Sequence, residues 1–144
     1  MKKLVLLLLI ALLSVCALAE QESAMPAGYV RVSTATQAGW LPLPVDGDTT
    51  FPLVQFKLDG TQSLNLIHLT PNGVYMEDAN CENHDCMGQG EVTFENIPER
   101  ILGNMIICLP NQVVLELFTP QETMDMLGEL PELPEGENQD GQEP

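Results

Sequence analysis

The chain has 144 residues, with 21 acidic against five basic side chains and a formal charge of −16. A surface this negative repels a phosphate backbone and an anionic bilayer, which argues against nucleic-acid binding and electrostatic membrane docking. The remaining classes are soluble binding modules, small enzymes and structural domains.

The N-terminus carries a three-part export pattern. Lys2 and Lys3 precede an unbroken apolar run from Leu4 to Leu13, and Ala17-Leu18-Ala19 supplies small residues at positions −3 and −1. This predicts a signal peptide over residues 1–19, cut after Ala19. A lipoprotein alternative uses Cys16 as the lipidated residue, preceded by Leu13-Ser14-Val15. An uncleaved anchor fits less well, because Leu4 to Ala19 is 16 residues and a span needs about 20. Removal of the leader leaves Arg31, Lys57 and Arg100 against 21 acidic residues, a charge of −18. No later segment is long enough to span a membrane, so the expected location is extracytoplasmic, secreted or associated with the cell envelope.

Residues 20–27 read as a flexible segment. From residue 28 to 118 short apolar stretches alternate with turn residues, which predicts an all-β domain. Tyr29 to Ser33 alternates weakly, and Trp40-Leu41-Pro42-Leu43-Pro44 is apolar but broken by proline, as an edge segment is. Asp46-Gly47-Asp48 is too short for a calcium loop and reads as a turn. Phe51 to Lys57 and Leu64 to Leu69 are strands, with Asp59-Gly60 between them as a tight hairpin. Asn72-Gly73 repeats that device before Val74 to Glu77. Glu91 to Phe94 is a further short strand.

The last two strands are the clearest. Met105 to Leu109 and Gln112 to Phe118 flank Pro110-Asn111, a turn centre in which proline pre-sets the first angle. Val113, Leu115 and Leu117 fall on one face of the final strand, the half-buried period. About seven short strands fit a small barrel or sandwich. Residues 119–129 form a short helix: Thr119 caps it, Pro120 takes the first position and Glu122 reaches back to the cap. Met124 and Leu127 would rest on the strands. Residues 130–144 carry prolines and carboxylates without a basic residue, and this composition predicts a disordered acidic tail.

Two stretches carry a family resemblance. Asn72-Gly73-Val74-Tyr75-Met76-Glu77-Asp78-Ala79-Asn80 leads into Cys81-x4-Cys86-x3-Gly90. Ile106-Ile107-Cys108-Leu109-Pro110-Asn111-Gln112-Val113-Val114-Leu115-Glu116 follows. Together they resemble the NusG domain II-like family of small, mostly exported or membrane-anchored bacterial proteins. Glu82 and His84 stand where that family usually has a proline and a basic residue. The resemblance implies a small β-barrel, closed or partly open, in which Cys81, Cys86 and Cys108 cluster. It transfers no activity.

The cysteines admit four readings. A structural disulfide, Cys81–Cys108 or Cys86–Cys108, would tie the loop to the penultimate strand. Three thiols packed together as small hydrophobes are the second. A redox pair is the third, although Glu82 and Asp85 would raise a thiol pKa. The fourth is a zinc site from Cys81, His84, Cys86 and Cys108. His68 reads as a half-buried strand residue. Trp40, Tyr29 and Tyr75 read as core or covering aromatics, with Trp40 an alternative stacking surface for a ligand. No catalytic residues and no cofactor are expected. The functional expectation is a non-catalytic binding or accessory module with an unidentified protein partner at the envelope. The alternative is a thiol–disulfide or electron-transfer accessory using the three cysteines.

Overall fold

A computed structural model describes residues 24–131. The signal peptide with Ala17 and Ala19, the lipidation alternative at Cys16 and the acidic tail beyond residue 131 lie outside them. Of the N-terminal segment taken as flexible, residues 24–27 are described, and Pro26 is buried.

Among the described residues eight strands and one α-helix follow in chain order: β1 (Tyr29–Ser33), β2 (Ala38–Pro42), β3 (Thr49–Phe56), β4 (Gln62–Thr70), β5 (Gly73–Ala79), β6 (Val92–Thr93), β7 (Met105–Cys108), β8 (Val113–Phe118) and α1 (Pro120–Leu127). They make two antiparallel four-stranded sheets, ordered β2-β1-β8-β7 and β3-β4-β5-β6. The inner faces share one core. Val30, Val32, Ile106, Leu115 and Leu117 come from the first sheet, and Ile67, Leu69, Val74, Met76 and Val92 from the second.

The expectation of a closed or partly open barrel is therefore corrected to two separate sheets, the sandwich alternative of the same strand pattern. The reason lies at the edges. β2 ends at Pro42, with Pro44 close behind, so two backbone donors are missing there and the one between them, Leu43, is spent on the Gly28 carbonyl. β6 has only two residues and gives way to the 3-10 turn Ile97–Glu99, which contains Pro98. Neither offers a continuous edge to the other sheet. Pro52 is tolerated because β3 is itself an edge strand.

Turn chemistry explains the connections. Gly60 sits at φ 83°, and the Asp59 carboxylate accepts from the Thr61 amide and hydroxyl. Those two hydrogen bonds hold the Asp59 carboxyl below its ordinary pKa. The second hairpin differs from expectation. Thr70 pairs with Gly73, so Pro71-Asn72 is the turn centre and Gly73 already belongs to β5. Glycine is required there for another reason: a Cβ would lie 2.4 Å from the Val92 carbonyl oxygen.

The helix starts as its sequence dictates. Thr119 Oγ1 accepts from the Glu122 amide, the Glu122 side chain returns to the Thr119 amide, and Gly128 ends the helix at φ 78°. Its packing is shallower than expected. Met124 and Leu127 remain exposed, and Thr123 is the residue buried against the body.

Amide side chains join the sheets. Asn111, in the β7–β8 turn, donates from Nδ2 to Asn65 Oδ1 at 3.0 Å and to Leu64 O and Asn80 Oδ1 at 3.3 Å. Gln55 of β3 donates to the Asn111 carbonyl at 3.0 Å. Asn65 and Asn111 are both buried. Asn111→Ala strands the Asn65 carbonyl without a donor, and we expect a loss of about 1–3 kcal/mol of stability, the cost of an unpaired buried polar group. Thermal melting of the variant checks this, and an unaltered midpoint would contradict it.

Candidate functional site

Three cysteine sulfurs meet in the core beneath the β7–β8 hairpin. The loop that brings two of them begins where β5 stops. Asn80 ends the strand: its side chain accepts from the Leu64 amide at 2.8 Å and donates to the Gln62 carbonyl at 3.0 Å. Cys81 then turns inward. The loop reverses through Asn83 and Asp85, with His84 in the left-handed region at φ 55°. Met87 closes the turn by donating to the His84 carbonyl at 3.1 Å. Cys86 then points back to the core at the start of the 3-10 turn Met87–Gln89. Cys108 arrives from β7, where Ile106 and Cys108 are the inward residues.

All three sulfurs lie within 4.8 Å of one another, and all three residues are buried. Cys81 Sγ and Cys86 Sγ are 3.7 Å apart, a contact of thiols and far from the ~2.05 Å of a disulfide. The three cysteines are free, so the structure holds neither of the disulfide pairings expected from sequence. His84 is exposed and outside the converging set. The four-ligand zinc arrangement with His84 is therefore not assembled.

The loop is fixed to β7 by a side chain that sequence reasoning passed over. Gln89 donates from Nε2 to the Ile107 carbonyl at 2.7 Å and accepts the Ile107 amide on Oε1 at 2.8 Å. It thus pairs with the edge strand as a neighbouring strand would. Arg100 is equally committed: its guanidinium donates to the carbonyls of Gln89, Glu91, Gly103 and Met105. It is engaged with backbone oxygens, and no ion pair from Arg100 to a thiolate is present. Burial, reinforced by hydrogen bonds and charge from Cys108 and Cys81, pushes the Cys86 thiol up to about 12.

Access is from one side. A cleft of about 250 Å³ reaches Cys86 and Cys108 between Asn83, Asp85, Leu109 and Pro110. A wider groove of about 460 Å³, lined by Gln89, Arg100, Ile101 and Leu102, adjoins it through the shared Gln89 and Leu102. Ile101 and Leu109 project from this region at 103% and 79% exposure. Neither was singled out as a surface residue from sequence.

His68 occupies a second polar cluster, also missed. Its ring stacks on Tyr75 with centroids 4.5 Å apart. Nδ1 lies 3.3 Å from Glu77 Oε2 and Nε2 lies 3.5 Å from Asp48 Oδ2. The Thr50 hydroxyl donates to Glu77 at 2.9 Å, so the hydroxyl proton is directed to a carboxylate. A β4–β5 register shift between Leu66 and Ile67 leaves Glu77 unpaired in the ladder and aims it here. Trp40 is half-buried beside Phe118, with ring centroids 5.5 Å apart, and Tyr29 is buried.

The NusG domain II model matches residues 4–120. Among solved structures, the solution structure of the Lin0431 protein from Listeria innocua is 18% identical. It has a TM-score of 0.50 and covers 80% of this chain and 96% of its own. A DUF1312 family protein from Enterococcus faecalis is 17% identical, with a TM-score of 0.48, covering 64% of this chain and 97% of its own. A DUF1312 family protein from Ruminococcus gnavus is 26% identical, with a TM-score of 0.42, covering 62% and 96%. No curated protein matches the sequence.

The Cys86 thiol gives a pH test. Its folded pKa is raised from the ordinary value near 9 to about 12. The stability linked to it is thus complete below about pH 9 and lost as pH rises towards 12. In the reduced, metal-free protein, the unfolding free energy should fall more steeply over that window than in Cys86→Ala. The difference approaches about 1.4 kcal/mol per pH unit for one proton. Denaturant titrations from pH 8 to 11 compare the two, and parallel curves would contradict a buried neutral thiol.

Proposed function

The chain belongs to the NusG domain II family, and on that footing we propose that it works as an exported, non-catalytic binding or accessory module at the cell envelope. The observation that carries this reading is the pair of exposed apolar side chains, Ile101 and Leu109, beside the joined grooves around Gln89 and Leu102. Apolar groups so placed, and rimmed by polar ones, suit a protein interface. The partner is a protein surface offering apolar side chains with a neutral or basic surround, since this chain is strongly acidic. The export pattern over residues 1–19 supports an envelope location.

The side chains suited to chemistry are engaged in contacts within the fold. The thiols are buried, Arg100 is engaged with carbonyls and His68 is held between carboxylates. The alternative, a thiol–disulfide or electron-transfer accessory, is favoured by the cleft onto Cys86 and Cys108. There, two thiols would give up two protons and two electrons to the disulfide of a partner. The raised Cys86 pKa disfavours attack by its thiolate. A reduction potential far below the envelope's poise would leave the cysteines outside redox exchange, and one near it would support the alternative.

The binding reading has a direct test. With the chain from Glu20 as bait on envelope extracts, the double variant Ile101→Asp, Leu109→Asp should lose at least about tenfold of the wild-type capture, since each contact is worth on the order of 1 kcal/mol or more. Both sites are exposed, so the melting midpoint should be retained. Equal capture by the folded variant would move the interface elsewhere.

A further inference from the structure

We propose that Cys81, Cys86 and Cys108 form a binding site for a single soft d10 cation, with copper(I) preferred over zinc. This goes beyond the binding-module reading and does not depend on it.

The donor set is the first ground. Among the His, Cys, Asp and Glu side chains of the described residues, the convergent ligand atoms are these three sulfurs. Thiolates alone select thiophilic ions, whereas calcium and magnesium require oxygen donors. The spacing is the second. An ion in the plane of three sulfurs at a bond length of about 2.3 Å would hold them about 4.0 Å apart. The sulfurs here lie within 4.8 Å of one another, with 3.7 Å between Cys81 and Cys86. Small side-chain rotations close that gap.

The number of ligands separates the candidates. Structural zinc takes four protein ligands, and among the described residues no His, Asp or Glu ligand atom joins the three sulfurs: Glu82 and Asp85 stay outside the group, and His84 is exposed on a left-handed turn. Three sulfurs complete a trigonal shell, which copper(I) accepts. The frame is already held on both sides of the cluster. Asn80 fixes the approach to Cys81, and Gln89 pins the loop to Ile107, the neighbour of Cys108. The 250 Å³ cleft is lined by Cys86 and Cys108, which is the side from which an ion would enter. As each sulfur–metal bond forms, an S–H bond breaks and its proton leaves to solvent. No electron is transferred, because copper enters as copper(I).

The experiment uses the chain from Glu20 onward, which holds all eight strands and lacks Cys16. Reduced and oxygen-free, it is titrated with copper(I) against a colorimetric copper(I) chelator. We expect one equivalent retained, a melting midpoint that rises with copper, and an affinity loss of more than about a hundredfold in Cys81→Ala and in Cys108→Ala. X-ray absorption of the copper-loaded wild-type chain needs no variant and should show an all-sulfur first shell at about 2.3 Å. Complete loss of copper to the chelator, a shell of nitrogen or oxygen, or undiminished binding by the folded variants would overturn the site. Tight one-to-one zinc binding without copper retention would overturn the preference for copper(I).

Discussion

Two sheets of this size meet over a narrow core, and the contact depends on a buried amide that must be paired. Asn111 belongs to the first sheet by sequence and to the second by hydrogen bonding, because its side chain reaches Leu64 and Asn65 of β4 and the Asn80 cap. In a low-dielectric interior such a group is costly when unpaired and directional when paired. The amide therefore sets the register of one sheet on the other, a constraint that Val, Ile and Leu alone do not supply. Pro110 and the left-handed Gln112, at φ 55°, shape the turn that aims it.

The thiol cluster follows from that arrangement. Cys108 is three residues from Asn111, so fixing the turn fixes the depth of Cys108. Asn80, which also accepts from Asn111, directly precedes Cys81. The same amide network thus positions both segments that bring sulfur to the core. Gln89 completes the frame from the solvent side by pairing with Ile107, which also covers the edge that β7 would otherwise expose. A small domain with a modest core gains from this arrangement, because cysteine packs as a compact hydrophobe where a leucine would not fit.

Periodicity and turn residues made most of the strands legible, because inward residues of β8 and the capping box of α1 are local signals. The Thr119–Glu122 start and the Val113, Leu115, Leu117 face are read from a few adjacent residues. β4 shows where such reading fails. Leu64 and Leu66 suggest an apolar inner face, yet Ser63, Asn65, Ile67 and Leu69 point inward. Nothing local marks Asn65 as a core residue, since its partner Asn111 lies 46 positions away. The choice between a barrel and two sheets was also hidden, because it depends on which edges fail to pair. The roles of Gln89 and Arg100 were invisible for a similar reason: both act on backbone oxygens or amides distant in sequence.

The burial of the cluster bears differently on its two possible chemistries. Disulfide exchange needs a thiolate before any bond forms, and desolvation opposes that thiolate at Cys86. Metal binding needs no preformed thiolate, because the cation displaces the proton as each sulfur–metal bond forms; one copper(I) offsets one of the three sulfur charges and its bonds to all three stabilise the rest. An environment that suppresses nucleophilic attack can therefore still favour a soft cation, provided the sulfurs converge before the ion arrives. Here convergence is imposed by amides and backbone pairing that involve no sulfur. The frame stands whether the site is filled or empty, and selectivity falls to the number and softness of the donors.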